Sequence, residues 1–90
     1  MKVRIYSVYD RKGQLFNQPF FAANDAMAVR TIYMREKVDP GLLSEFPEDF
    51  LLVYIGEFDS DSGDIKGLDH KFDTVSEVRN ILKERSDNDA

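Results

Sequence analysis

The stretch Phe50-Leu51-Leu52-Val53-Tyr54-Ile55-Gly56-Glu57-Phe58 decides the fold. It is the longest apolar run in the chain. Asp49 precedes it, and the turn-forming run Asp59-Ser60-Asp61-Ser62-Gly63 follows it. β-Branched and aromatic residues bounded by turn formers predict a strand. Strict alternation puts Leu51, Val53 and Ile55 on one face, and Phe50, Leu52, Tyr54 and Phe58 on the other. A strand apolar on both faces is either sandwiched within the fold or lends one face to a partner.

Upstream, Lys2 to Tyr9 alternates as a first strand, and Asp10-Arg11-Lys12-Gly13 turns the chain. Gln14 to Phe21 returns as a second strand. Pro19 confines it to an edge, because proline donates no ladder hydrogen bond. Asn24 is an N-cap for a helix from Asp25 to about Lys37, with Ala28, Val29, Ile32 and Tyr33 as its apolar stripe. Asp39-Pro40-Gly41 ends that helix. Leu42 to Asp49 reads as a loop or short helical turn, with Leu42, Leu43 and Phe46 plugging the core edge.

Downstream, Ile65 to Leu68 is a short returning strand. Thr74-Val75-Ser76-Glu77 fits a capping box for a second helix, with Val75, Val78, Ile81 and Leu82 as its apolar face. The expected fold is therefore α+β: a small antiparallel sheet of three to four strands with two helices, in the order ββαββα. One domain spans residues 1–85, and a disordered polar tail is expected over 86–90. Gly13 and Gly63 each lie twelve residues before an expected helix start, which suggests a ββα pseudo-repeat.

Ninety residues supply one small core. No stretch approaches the roughly 18 apolar residues of a membrane span, and no apolar leader opens the chain. With no cysteine there is no disulfide, thiolate metal site or cysteine nucleophile. The turn Asp59-Ser60-Asp61-Ser62-Gly63-Asp64 departs from calcium-loop spacing, since glycine stands fifth rather than sixth and the twelfth position is His70. His70 is the sole histidine and has no visible nucleophile or ligand set around it. No glycine-rich phosphate loop occurs. The expectation is a protein that is not an enzyme, with no cofactor and no metal.

The net charge is −5, but it is unevenly spread. Residues 1–37 carry seven basic and three acidic side chains, a net +4; residues 38–90 carry five and fourteen, a net −9. In the first half, Lys2, Arg4, Arg11 and Lys12 interleave with Tyr6, Tyr9, Phe16 and Phe20. Cations beside aromatic rings are how single-stranded nucleic acid is commonly held, by phosphate neutralisation and base stacking. Strand aromatics more often belong to a core, so both readings stand.

The segments Met1-Lys2-Val3-Arg4-Ile5-Tyr6-Ser7-Val8-Tyr9-Asp10-Arg11-Lys12, Gln18-Pro19-Phe20, Asn24-Asp25, Ala28-Val29-Arg30 and Tyr54-Ile55-Gly56-Glu57-Phe58-Asp59 occur in order. Together they resemble the small nonstructural protein of gokushovirus-type bacteriophages, the single-stranded DNA phages of the Microviridae. The resemblance implies a non-capsid accessory protein of genome replication, located in the host cytoplasm and binding single-stranded DNA. Arg4, Arg11, Lys12 and Arg30 are then the expected phosphate contacts, and Tyr6, Tyr9 and Phe20 the expected stacking rings. The alternative is a protein-interaction module that binds a phage or host replication factor without touching DNA, which the acidic half and the two-sided strand favour. Either way a homodimer is expected, because so short a chain has little material to cover both faces of Phe50 to Phe58.

Overall fold

The computed structural model describes residues 1–89, with side chains as far as Lys83. The polar tail expected over 86–90 lies, in its side chains, outside the described residues. The elements are β1 (Lys2–Asp10), β2 (Leu15–Phe16), β3 (Phe20–Ala22), α1 (Asp25–Val38), α2 (Leu42–Glu45), a 3-10 turn (Pro47–Asp49), β4 (Phe50–Asp59), β5 (Ile65–Gly67), β6 (Asp73–Glu77) and α3 (Val78–Asp89). The class is α+β, as expected, and the sheet is antiparallel, but it counts six strands and three helices.

The extra strands arise because each edge is broken. β1 and β4 pair along their whole length at the centre. β2 and β3 both pair with β1, on one edge, separated by Asn17-Gln18-Pro19. β5 and β6 both pair with β4, on the other edge. The sheet is thus four ranks wide. Pro19 sits in the gap of the first edge, where the missing N–H costs no ladder bond.

The expected second helix is corrected at its start. Thr74 to Glu77 is β6, and α3 begins at Val78. Asp73, Thr74, Ser76 and Glu77 pair with the free edge of β4, and a half-buried sheet edge outweighs a local capping signal. A bulge between Leu52 and Val53 leaves Val75 as the extra residue, packed against the core.

The two halves share one layout: a long strand, a turn, a broken returning edge and a helix. Both turns close with a four-residue span, Gln14 N–H to Asp10 C=O and Gly63 N–H to Asp59 C=O, each 2.7 Å. In both, the leading aspartate caps the turn, Asp10 accepting from Lys12 and Gly13 N–H, and Asp59 from Asp61 N–H. The residue with positive φ is Gln14 (58°) in the first turn and Gly63 (80°) in the second. The repeat therefore aligns Gln14 with Gly63, an offset one residue shorter than the Gly13–Gly63 spacing.

α1 and α3 lie on one face of the sheet. Tyr6, Val8, Phe50 and Leu52 meet Ala28, Ile32, Val78 and Ile81 there. Asn24 caps α1, its Oδ1 accepting from Met27 N–H at 2.9 Å. Leu43 is buried as expected, whereas Leu42 and Phe46 are exposed. A carboxylate ties this segment to α1: Glu36 is buried, and its Oε1 accepts from Gly41 N–H (3.0 Å), Ser44 N–H (3.1 Å) and Ser44 Oγ–H (2.9 Å). The bond to Gly41 satisfies an amide that the start of α2 would otherwise leave open, whereas the Ser44 amide also reaches the Gly41 carbonyl at 3.1 Å.

The candidate site, a helix-free sheet face

Strand parity fixes what the second face carries. Paired residues point the same way, so β1 contributes Val3, Ile5, Ser7 and Tyr9 to the face opposite the helices. A bulge lets Tyr6 pair with Tyr54 but Ile5 with Gly56, so Ile55 is skipped. Beyond the bulge the parity of β4 switches. Phe58 pairs with Val3 and joins the second face, rather than the even face that uniform alternation predicts.

No described helix contributes to this face. Rings flank it at both ends. At the end near the Asp10 turn, Tyr9 lies 4.8 Å from Phe16 and 5.5 Å from Phe72, centroid to centroid, and Phe16 lies 5.6 Å from Phe72. At the other end Phe21 packs edge-on to Phe58 at 5.8 Å. Between them Ile5, Ser7 and Val53 form a closely packed floor. Ser7 Oγ–H donates to the Asn17 carbonyl at 2.7 Å, so the floor presents no free hydroxyl donor. Phe16 remains 43% exposed, Phe21 57% and Ile65 69%. Large apolar side chains left exposed at both ends of one face are candidates for contact with a partner.

The seven residues expected to bind DNA are not brought together. Tyr6 is fully buried, and its hydroxyl donates to Asp25 Oδ1 at 2.7 Å. Burial pushes its hydroxyl up to about 12, so the ring is a core group and not a stacking platform. Phe20 lies on the helix side, stacked on Tyr6 at 5.9 Å, with the Arg35 guanidinium over it at 5.7 Å. Arg4 lies on the helix side too. It pairs with Asp25 at 3.0 Å and covers the Tyr54 ring at 4.8 Å. Tyr9 alone of the expected rings reaches the second face. Arg11 and Lys12 lie in the turn beyond it, where Arg11 donates to the Glu48 carbonyl. Arg30 is exposed on α1, away from the rings.

Phe21, Phe58 and Phe72 completed the ring clusters without being singled out as site residues. Phe72 gave no signal, because its rank in the sheet depends on β6, whose sequence imitates a helix start. Phe21 and Phe58 stood in the strands, but their face depends on register and on a bulge.

The remaining polar features have structural partners. His70 pairs with Asp73 on the surface. The acidic turn accepts the terminal ammonium of Met1 at Asp59 and Asp61. Among the described residues no group of acidic and histidine side chains has metal-site geometry, and no helix is long and apolar enough to cross a membrane.

No curated protein and no solved structure matches the chain. The model of the phage ORF5 protein family matches residues 3–81, which include β4, all of β1 but Lys2, both broken edges and the ring-bearing face. With that match spanning most of its length, the chain belongs to the phage ORF5 protein family.

Proposed function

We propose that this phage accessory protein works by binding another protein through the helix-free face of its sheet. The observation that supports this is the placement of Tyr9, Phe16, Phe72, Phe21 and Phe58 at the two ends of a largely apolar face. Aromatic anchors around a charge-poor centre are the composition of a protein interface core. The expected cations do not gather on that face: Arg4 is engaged with Asp25, and Arg30 is on α1. The partner class is a component of phage genome replication, following the resemblance to the gokushovirus nonstructural proteins. The protein performs this role without catalysis, in the host cytoplasm.

A second reading keeps single-stranded DNA as the ligand. Its support is the ring cluster Tyr9, Phe16 and Phe72 beside Arg11 and Lys12, an arrangement suited to base stacking with phosphate neutralisation. Acidic neighbours weigh against it, since Asp10, Glu48 and Asp49 lie at the same end of the sheet.

Phage yield separates the readings. Two variants are compared in the phage that encodes the chain: Phe16→Ser, Phe21→Ser on the face, and Arg11→Glu, Lys12→Glu in the turn. The protein-binding reading expects the burst to fall at least tenfold with the face variant and by less than twofold with the turn variant. The reverse order contradicts it.

A further inference from the structure

We infer that the outward side of α1 docks an amphipathic helix of another protein, one that carries carboxylates along both edges of its apolar seam. This surface is separate from the sheet face and stands whether or not that face is occupied.

The first argument is the pattern. α1 turns its buried residues Ala28, Ile32 and Glu36 toward the core. At about 100° per residue, the opposite side carries Met27, Thr31, Met34 and Val38. Met27 is 42% exposed, Met34 49% and Val38 79%. Their spacing of four, three and four residues is that of a seam along which two helices interlock. Thr31 Oγ–H donates to the Met27 carbonyl at 2.9 Å, so the one polar side chain of the seam stays satisfied when water leaves. Methionine suits such a contact, because its unbranched thioether adapts to the shape laid against it. A straight ridge about 16 Å long fits a second helix laid along it, whereas a small ligand needs a concave site.

The second argument is charge. Arg30 and Lys37 stand along one edge of the seam, and Arg35 along the other. The Arg35 guanidinium rests over the Phe20 ring at 5.7 Å, a contact that fixes its place and leaves its charge. Glu36 is the sole carboxylate of residues 26–38, and it is buried and turned to Gly41 and Ser44. Asp25, at the start of the helix, is engaged with Arg4 and Tyr6. The edges therefore select anionic residues across the seam. They also exclude a second α1. In a parallel pair Arg30 would meet Arg35 of the other copy, and in an antiparallel pair each cationic edge would meet itself. Like charges so placed repel.

Fluorescence anisotropy on the full chain tests this with two labelled peptides of four heptads. Both carry leucine at the seam positions; one carries glutamate at every flanking position and the other lysine. The chain should bind the glutamate peptide at least tenfold more tightly at 50 mM salt, and the difference should shrink at 500 mM. The net charge of −5 would by itself favour the lysine peptide, so this order reports the seam. Met34→Asp should weaken binding at least tenfold, and Arg30→Glu should remove most of the preference. Phe21→Asp on the sheet face should leave both affinities within twofold. Circular dichroism confirms the fold of each variant, and Val38→Asp serves as the seam variant should Met34→Asp not fold. No binding of the glutamate peptide at 100 μM overturns the inference, as do equal affinities for the two peptides or an affinity unchanged in the folded seam variant. Binding to phosphatidylglycerol vesicles without binding to the glutamate peptide also overturns it, and makes a lipid surface the occupant.

Discussion

Tyr6 shows how one residue's role follows from its surroundings. Its ring is buried between Phe20 and Tyr54, and its hydroxyl bonds Asp25. The folded state therefore favours the neutral phenol. A group raised in this way contributes stability that is present below its ordinary value of 10 and lost as pH climbs toward 12. Tyr54 is shifted in the same direction, first by burial and then by its hydrogen bond to Glu57. Urea unfolding at successive pH values should show stability falling above pH 10, with a shallower fall in Tyr6→Phe. At pH 7 that variant should be destabilised by about 1 kcal/mol, the net worth of one hydrogen bond. Glu36 is a second buried polar residue, one that the apolar stripe of α1 concealed. Glu36→Ala leaves the Gly41 amide and the Ser44 hydroxyl without this acceptor, while the Ser44 amide keeps the Gly41 carbonyl, and should cost about 1–3 kcal/mol in the same assay.

At the scale of elements, the legible parts were those with one dominant signal. β1, β4 and α1 were readable because their periodicity, caps and turns agree; Asn24 and the stripe Ala28, Ile32 are examples. β6 was not, since Thr74-Val75-Ser76-Glu77 satisfies a helix cap locally and a strand edge globally, and only the presence of β4 decides. Two bulges were also beyond reach, and with them the face on which Phe58 lies. Gly56 sits beside one of these bulges. A Cβ there would stand 2.4 Å from the Lys66 carbonyl oxygen and 3.2 Å from Gly67 Cα, both backbone atoms that cannot rotate away. Gly56→Ala should therefore push β5 off β4 and cost about 1–3 kcal/mol, the usual range for overpacking. Amide hydrogen exchange should show lost protection at Leu68, whose N–H donates to Ile55, while α1 keeps its protection.

For the whole molecule, the sheet has two apolar faces and helices for one of them. The two-sided character of Phe50 to Phe58 was visible in the residues; which rings gather on the uncovered side was not, because that depends on strand pairing across some sixty residues of chain. Two of the first-half cations are engaged by carboxylates, Lys2 by Glu57 and Arg4 by Asp25. An oligonucleotide of single-stranded DNA should accordingly bind weakly, with a dissociation constant no tighter than about 10 μM in fluorescence anisotropy at 50 mM salt. Tight binding with a log K against log salt slope of about −2 to −3, as three or four phosphate contacts require, would favour the DNA reading. The claim that the uncovered face is the working surface is tested most directly by site-specific photo-crosslinking in cells producing the phage. A photoreactive residue replaces Phe21 on the face or Lys66 on the helix side of β5. The account predicts protein adducts from position 21 and none from position 66; adducts from position 66 alone, or nucleic acid as the sole adduct at position 21, would contradict it.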